Sequence, residues 1–189
     1  SEVSSLLEEK KPTVLINCAA YNLVEEAERN SAIAFAINHE AVGILAKACL
    51  DNNIFFVHYS SDYIFDGKKG SLYLEEDTPY PLNIYGKSKY EGEKTACATL
   101  SHHLIFRTSW VYGEGKQNFL YKIQEWAKKN NSLSISTDEI SVPTYVDDIV
   151  SVTLTALEQK QRGLYHLTSS GYCSRYELTD YFLKRSRLN

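Results

Sequence analysis

Tyr85 and Lys89 stand four positions apart in this chain of 189 residues, the separation that puts two side chains on one face of an α-helix. A phenol at its reference pKa of ~10 is almost fully protonated at neutral pH. An ammonium beside it favours the phenolate and brings the group toward the working range of an acid/base catalyst. The motif needs context to be informative. With 14 tyrosines and 14 lysines, chance supplies about one Tyr-x-x-x-Lys. The chain holds Tyr85/Lys89, Tyr90/Lys94 and Tyr112/Lys116. Tyr90 lies about 140° around a helix from Tyr85, so the first two pairs cannot face one site. Tyr112 falls beside Gly113 and Gly115, in a loop where spacing fixes no common face. Tyr85 alone sits near an expected helix start, downstream of a strand that ends on Ser61.

The elements that would carry these groups follow from apolar spacing. Val14 to Ala20 reads as a buried strand after the break at Pro12, and Val24 to about Asn52 as helix interrupted near Asn38. Ile54 to Tyr59 is rich in aromatic and β-branched residues and predicts the next strand, ending at Ser60-Ser61-Asp62. Helix is expected over 83–98, 118–129, 146–159 and 175–184, and strand over 104–110, 133–136 and 164–167. Strands that alternate with helices imply parallel pairing, so the fold class is α/β, a doubly wound parallel sheet. Ligands of such sheets bind beyond the carboxyl ends of the strands. That rule points to Ala19-Ala20-Tyr21-Asn22, to Ser60-Ser61-Asp62-Tyr63 and to Thr108-Ser109-Trp110. For any single serine or threonine there, capping the next helix is the competing reading.

Composition narrows the classes. Hydrophobic residues make up 43% and charged residues 23%, enough for a folded core. A formal charge of −4 gives no basic footprint for nucleic acid. The apolar run around Asn17 is far short of the ~20 residues of a membrane helix, and 1–11 is too charged for a secretory signal. The chain reads as cytoplasmic. Cys18, Cys49, Cys97 and Cys173 include no CxxC pair, so they are expected to be buried free thiols, and no metal site is expected. With no methionine, the chain reads as processed or as a piece of a longer protein.

Ordered motifs along almost the whole chain add a resemblance. Asn17-Cys-Ala-Ala-Tyr21, Ser60-Ser-Asp-Tyr-Ile-Phe-Asp-Gly67, Pro81-Leu-Asn-Ile-Tyr-Gly-Lys-Ser-Lys89, Arg107-Thr-Ser-Trp-Val-Tyr-Gly113, Val142-Pro-Thr144 and Tyr165-His-Leu167 resemble the extended short-chain dehydrogenase/reductases, and among them the dTDP-4-dehydrorhamnose reductases. The resemblance implies an NAD(P)-binding Rossmann-like sheet and an enzyme using NADPH or NADH. Its reaction would reduce the C4 keto group of a nucleotide-linked deoxysugar, the last step toward dTDP-L-rhamnose. It implies Tyr85 as proton donor, Lys89 as holder of the nicotinamide ribose that lowers the pKa of Tyr85, and Ser61 as a hydrogen-bond donor to the substrate carbonyl. Ala20, Tyr21, Asn22 and Tyr59 match cofactor-lining positions, and Asp62 and Trp110 substrate-contacting ones. A partial dinucleotide-binding part is expected over 1–125 and a mainly substrate-binding part over 126–189, with strand 164–167 returning to the sheet. The partner implied is a nucleotide-sugar substrate; the sequence leaves open whether the protein forms a homo-oligomer.

The departures are also specific. Asp138-Glu-Ile-Ser-Val-Pro-Thr144 has Glu139 and Val142 where the family often has glutamine and serine. The glycine-rich turn that brings backbone N–H groups against a pyrophosphate is not among the 9 glycines, so the chain is expected to be an internal segment of a longer reductase. Two readings compete with it. One is a non-catalytic binding protein on the same fold, like the regulatory subunit of methionine adenosyltransferase; the other is a different sugar-nucleotide epimerase or reductase. The Arg107 to Gly113 motif favours the reductase over the regulatory relative.

Overall fold

A computed structural model describes residues 2–186. The elements in chain order are α1 (Glu2–Lys10), β1 (Val14–Asn17), α2 (Val24–Ala27), α3 (Ser31–Phe35), a π turn (Ala36–Glu40), α4 (Ala41–Asp51), β2 (Phe55–Ser61), a 3₁₀ turn (Asp62–Ile64) and α5 (Ile84–Thr99). There follow β3 (His103–Thr108), β4 (Val111–Tyr112), α6 (Phe119–Ala127), β5 (Ile140–Ser141), β6 (Thr144–Tyr145), α7 (Val146–Glu158), β7 (Gly163–His166), β8 (Cys173–Ser174) and α8 (Arg175–Ser186). The chain divides into two compact units, 1–107 with 161–166, and 108–160 with 167–189. This structural division falls where the chain leaves β3, upstream of the functional boundary expected near 125.

The first unit holds a four-stranded sheet of order β1-β2-β3-β7, with β1 parallel to β2 and β3 parallel to β7, so the α/β class read from the sequence is the one observed. Phe56 and Val57 of β2, on opposite faces, are both fully buried, as expected of an interior parallel strand covered on both sides. Phe56 and Ile105 pack with Val42, Ala46 and Cys49 of α4 and Ala96 of α5 in the main apolar cluster. The stretch Ser31–Asp51 is long and apolar enough to cross a bilayer. It buries the stripe of Ala34, Asn38, Val42, Ala46 and Cys49 in this unit, while Ile33, Ile44 and Leu50 on it are exposed.

Several local expectations are corrected. β1 stops at Asn17 rather than Ala20, because the Asn17 side chain accepts the Ala19 N–H at 3.1 Å and turns the chain. The interruption expected near Asn38 is the π turn. Leu133 to Ser136 is not a strand. Its end is used otherwise: the Ser136 and Glu139 carbonyls accept the Tyr176 and Arg175 N–H groups, which as the first donors of α8 have no partner within the helix. Of the four thiols expected to be buried, only Cys49 is; Cys18 and Cys97 are exposed, and the Cys97 sulfur lies 3.6 Å from His103 Nε2.

Candidate active site

Tyr85 enters the site because α5 starts where it does. Asn83 is extended and its Oδ1 accepts the Gly86 N–H at 2.7 Å, an N-cap that fixes the first turn with Tyr85 in it. Opposite lies the end of β2. There the Ser61 hydroxyl donates to the Asp62 carboxylate at 3.2 Å and accepts the Tyr63 N–H at 3.2 Å. The two pieces come together because Gly86 has no side chain: a Cβ there would stand 2.2 Å from the Tyr63 carbonyl oxygen. The Tyr63 and Tyr85 rings meet edge to face at 5.5 Å, and the Tyr85 phenol hydrogen-bonds Ser61.

The acidity expected of Tyr85 is not what the geometry produces. Burial pushes its pKa up to about 12; the Ser61 hydrogen bond opposes the rise, and the Asp62 and Tyr63 charges add to it. Lys89 does not lower it, because the ammonium is turned to the Tyr59 carbonyl, to which it donates at 2.6 Å. Burial lowers Lys89 itself to about 8, and the nearby Glu93 carboxylate works against that fall. Tyr85 is therefore a protonated phenol at neutral pH, the form a proton donor needs. His58, fully buried on β2, is held neutral by burial and by the Lys89 charge.

The other expected residues are placed as follows. Tyr59 contributes its carbonyl, and its ring stacks 6.2 Å from Phe106. Tyr21 is half-buried, while Ala20 and Asn22 are exposed on the loop after β1. Trp110 belongs to the second unit and has left-handed backbone at φ 36°. Its ring lies 3.6 Å beneath the Arg175 guanidinium, which also covers Phe119 and pairs with Glu139 at 3.1 Å. The departure at Glu139 thus has a physical role here, as the counter-charge of Arg175. The competing pair Tyr90/Lys94 is a surface cation–π contact at 5.0 Å.

Asn38 was not singled out by its chemistry, yet it organises the site. Fully buried in the π turn, it accepts the Tyr21 N–H at 2.8 Å and donates to the Tyr21 carbonyl at 2.9 Å and to Ser88 Oγ at 3.0 Å. Ser88 in turn donates to the Tyr85 carbonyl. The loop after β1 is thereby tied to the helix that carries Tyr85. The visible signal was a polar residue inside an apolar helical pattern.

Comparison with known proteins gives consistent findings. The family model described as RmlD substrate binding domain matches residues 1–189. A dTDP-4-dehydrorhamnose reductase of Burkholderia thailandensis is 39% identical over 187 residues, covering 94% of this chain and 63% of that protein. The spore coat polysaccharide biosynthesis protein SpsK of Bacillus subtilis is 34% identical over 178 residues, covering 94% and 62%. A crystal structure of dTDP-4-dehydrorhamnose reductase from Bacillus anthracis in complex with NADP superposes with a TM-score of 0.94 at 32% identity, covering 98% of this chain and 66% of that one. The chain therefore spans a little over 60% of the length of these curated relatives.

Proposed function

This chain belongs to the RmlD substrate binding domain family, and on that footing we propose that the protein carrying it is a cytoplasmic, NAD(P)H-dependent reductase of the 4-keto group of a nucleotide-linked deoxysugar, with dTDP-4-dehydro-L-rhamnose as the substrate. The observation that carries this reading is the protonated Tyr85 phenol against Ser61 at the carboxyl end of β2, with Lys89 one helical turn further on. The donor set fits a nicotinamide ribose: an ammonium has three N–H donors, and one is used on the Tyr59 carbonyl. A nicotinamide cofactor, when bound, supplies the hydride. The Ser61 and Tyr85 hydroxyls donate to the keto oxygen as it gains charge, and Tyr85 then gives up its proton. A phenol near 12 can still protonate an alkoxide, a base comparable to hydroxide, whose conjugate acid has a pKa of ~15.7. The first unit would serve the cofactor, through Tyr21, Asn22, Ala20, Tyr59 and Lys89. Asp62 and Trp110 are the residues we propose for contact with the sugar.

The test is oxidation of NADPH by the intact protein with dTDP-4-dehydro-L-rhamnose, followed by absorbance. Turnover dependent on both compounds is expected, and none with either nucleotide cofactor would reject the reading. Lys89→Met keeps the apolar stem and removes the ammonium. We expect weaker cofactor binding and loss of the basic limb of the pH–rate profile. If Lys89 were a surface charge worth a few tenths of a kcal/mol, neither would change.

For the 189-residue chain expressed alone, the partner we propose is a second copy. β1 is an edge of the sheet among the described residues, and Ile16 on it is 41% exposed, which leaves backbone N–H and C=O groups ready to pair. Sedimentation velocity should show species above monomer mass, and Ile16→Lys should shift them toward monomer. A monodisperse parent monomer would contradict this.

A further inference from the structure

We propose that the buried pair Glu93–Arg107 is a positioning device for Lys89, keeping its ammonium charged and seated on the Tyr59 carbonyl; the functional value of this rests on the reductase reading above. Lys89 and Glu93 are four apart on α5, and both are 3% exposed. From β3, Arg107, 5% exposed, holds the Glu93 carboxylate with two bonds, Nε to Oε2 at 3.0 Å and Nη2 to Oε1 at 2.6 Å. Arg107 is itself fixed. Its Nη1 donates to the Glu75 carbonyl at 3.1 Å and lies 3.4 Å from His166 Nε2, and its guanidinium sits 5.3 Å from the centre of the Phe65 ring. The Glu75 carboxylate accepts the His166 N–H at 2.8 Å.

This arrangement separates two effects that a direct Lys–Glu contact would merge. Because Arg107 holds both Glu93 oxygens, the carboxylate acts on Lys89 through its field and leaves the ammonium on the Tyr59 carbonyl. The groups set against Lys89 are Glu93 on its own helix and His58 and the Tyr59 carbonyl on β2, with Arg107 of β3 bound to Glu93. Of these, Glu93 supplies the negative charge that offsets burial of the ammonium. Stability alone does not account for such a pair, because apolar residues of similar volume commonly replace a buried ion pair without loss.

The test is a titration of Lys89 by NMR of the chain labelled with [13Cε]lysine, its signal assigned by its disappearance in Lys89→Met. The parent midpoint is expected at about 8. In Glu93→Gln it should fall by about one pH unit or more, the usual size of an opposite-charge effect at close range. The double variant Glu93→Leu/Arg107→Met removes the charges while filling the space, and its midpoint should fall as well, even if the single variant fails to fold. A midpoint unchanged in the variants that fold would overturn the proposal. In the intact protein, the basic limb of kcat/KM should move to lower pH with the same sign, because the charged lysine is the competent form and is lost earlier as pH rises. A purely structural pair would leave that limb in place. Absence of keto-sugar turnover in the parent at every pH would reject the reductase reading, and the titration would still decide the charge effect.

Discussion

Replacing Tyr85 with phenylalanine in the intact protein is expected to lower keto-sugar turnover by about 10²- to 10⁴-fold, the range a positioned general acid contributes. Cofactor affinity should stay nearly unchanged. The ring contact with Tyr63 survives the substitution, as does the bond from Ser88 to the residue 85 carbonyl. Only the proton and its Ser61 partner are lost. Steady-state kinetics and a separate dinucleotide titration check the two halves of the statement. Retention of more than about a tenth of the parent rate would remove Tyr85 from the proton-donor role. The same change at Tyr90, whose ring is occupied by Lys94 on the surface, should be almost silent.

A single methyl group at position 86 should have a comparably large effect by a different route. In Gly86→Ala the new Cβ would lie 2.2 Å from the Tyr63 carbonyl oxygen and 3.1 Å from Pro81 Cβ, so the start of α5 and the turn after β2 must separate. Overpacking of this kind costs about 1–3 kcal/mol, occasionally more. Displacing Tyr85 from Ser61 by ~1 Å costs about 10²-fold in rate. Chemical denaturation and kinetics of the same preparation would show both losses. Gly43→Ala is the control. Its Cβ would meet only the Thr95 methyl, at 3.2 Å, and alanine favours the helix by up to ~1 kcal/mol. A Gly86→Ala protein as stable and as fast as the Gly43→Ala protein would show that the close approach at Tyr63 does not position the site.

The sequence made Tyr85 the best of three tyrosine–lysine pairs because its helix start and the preceding strand end could be read from capping and apolar spacing. Those are local signals, and the structure follows them: Asn83 caps α5 and β2 ends on Ser61. The pKa of Tyr85 could not be read the same way. A spacing of four promises proximity of backbone positions, whereas the direction taken by the Lys89 ammonium depends on a carbonyl of another strand. The pairing of Glu93 with Arg107 and the bonds of Asn38 to Tyr21 and Ser88 escaped for a related reason, since these partners lie 14 or more positions apart, a separation at which one sequence shows no pairing. The two-residue strands β4, β5, β6 and β8 are too short to show any periodicity.

The chain has two tryptophans, Trp110 and Trp126, and both fall in the unit formed by 108–160 and 167–189. Emission excited at the red edge of the absorption band, where tyrosine no longer absorbs, is therefore a spectroscopic label for that unit alone. Trp110 is a sensitive reporter, because the Arg175 guanidinium 3.6 Å from its ring must leave when the unit opens. The far-ultraviolet helical signal comes from both units, since α1 to α5 lie in the other unit and α6 to α8 in this one. Melting curves recorded by the two signals will coincide if the units unfold as one cooperative block and separate if they do not. No probe need be attached to distinguish these outcomes.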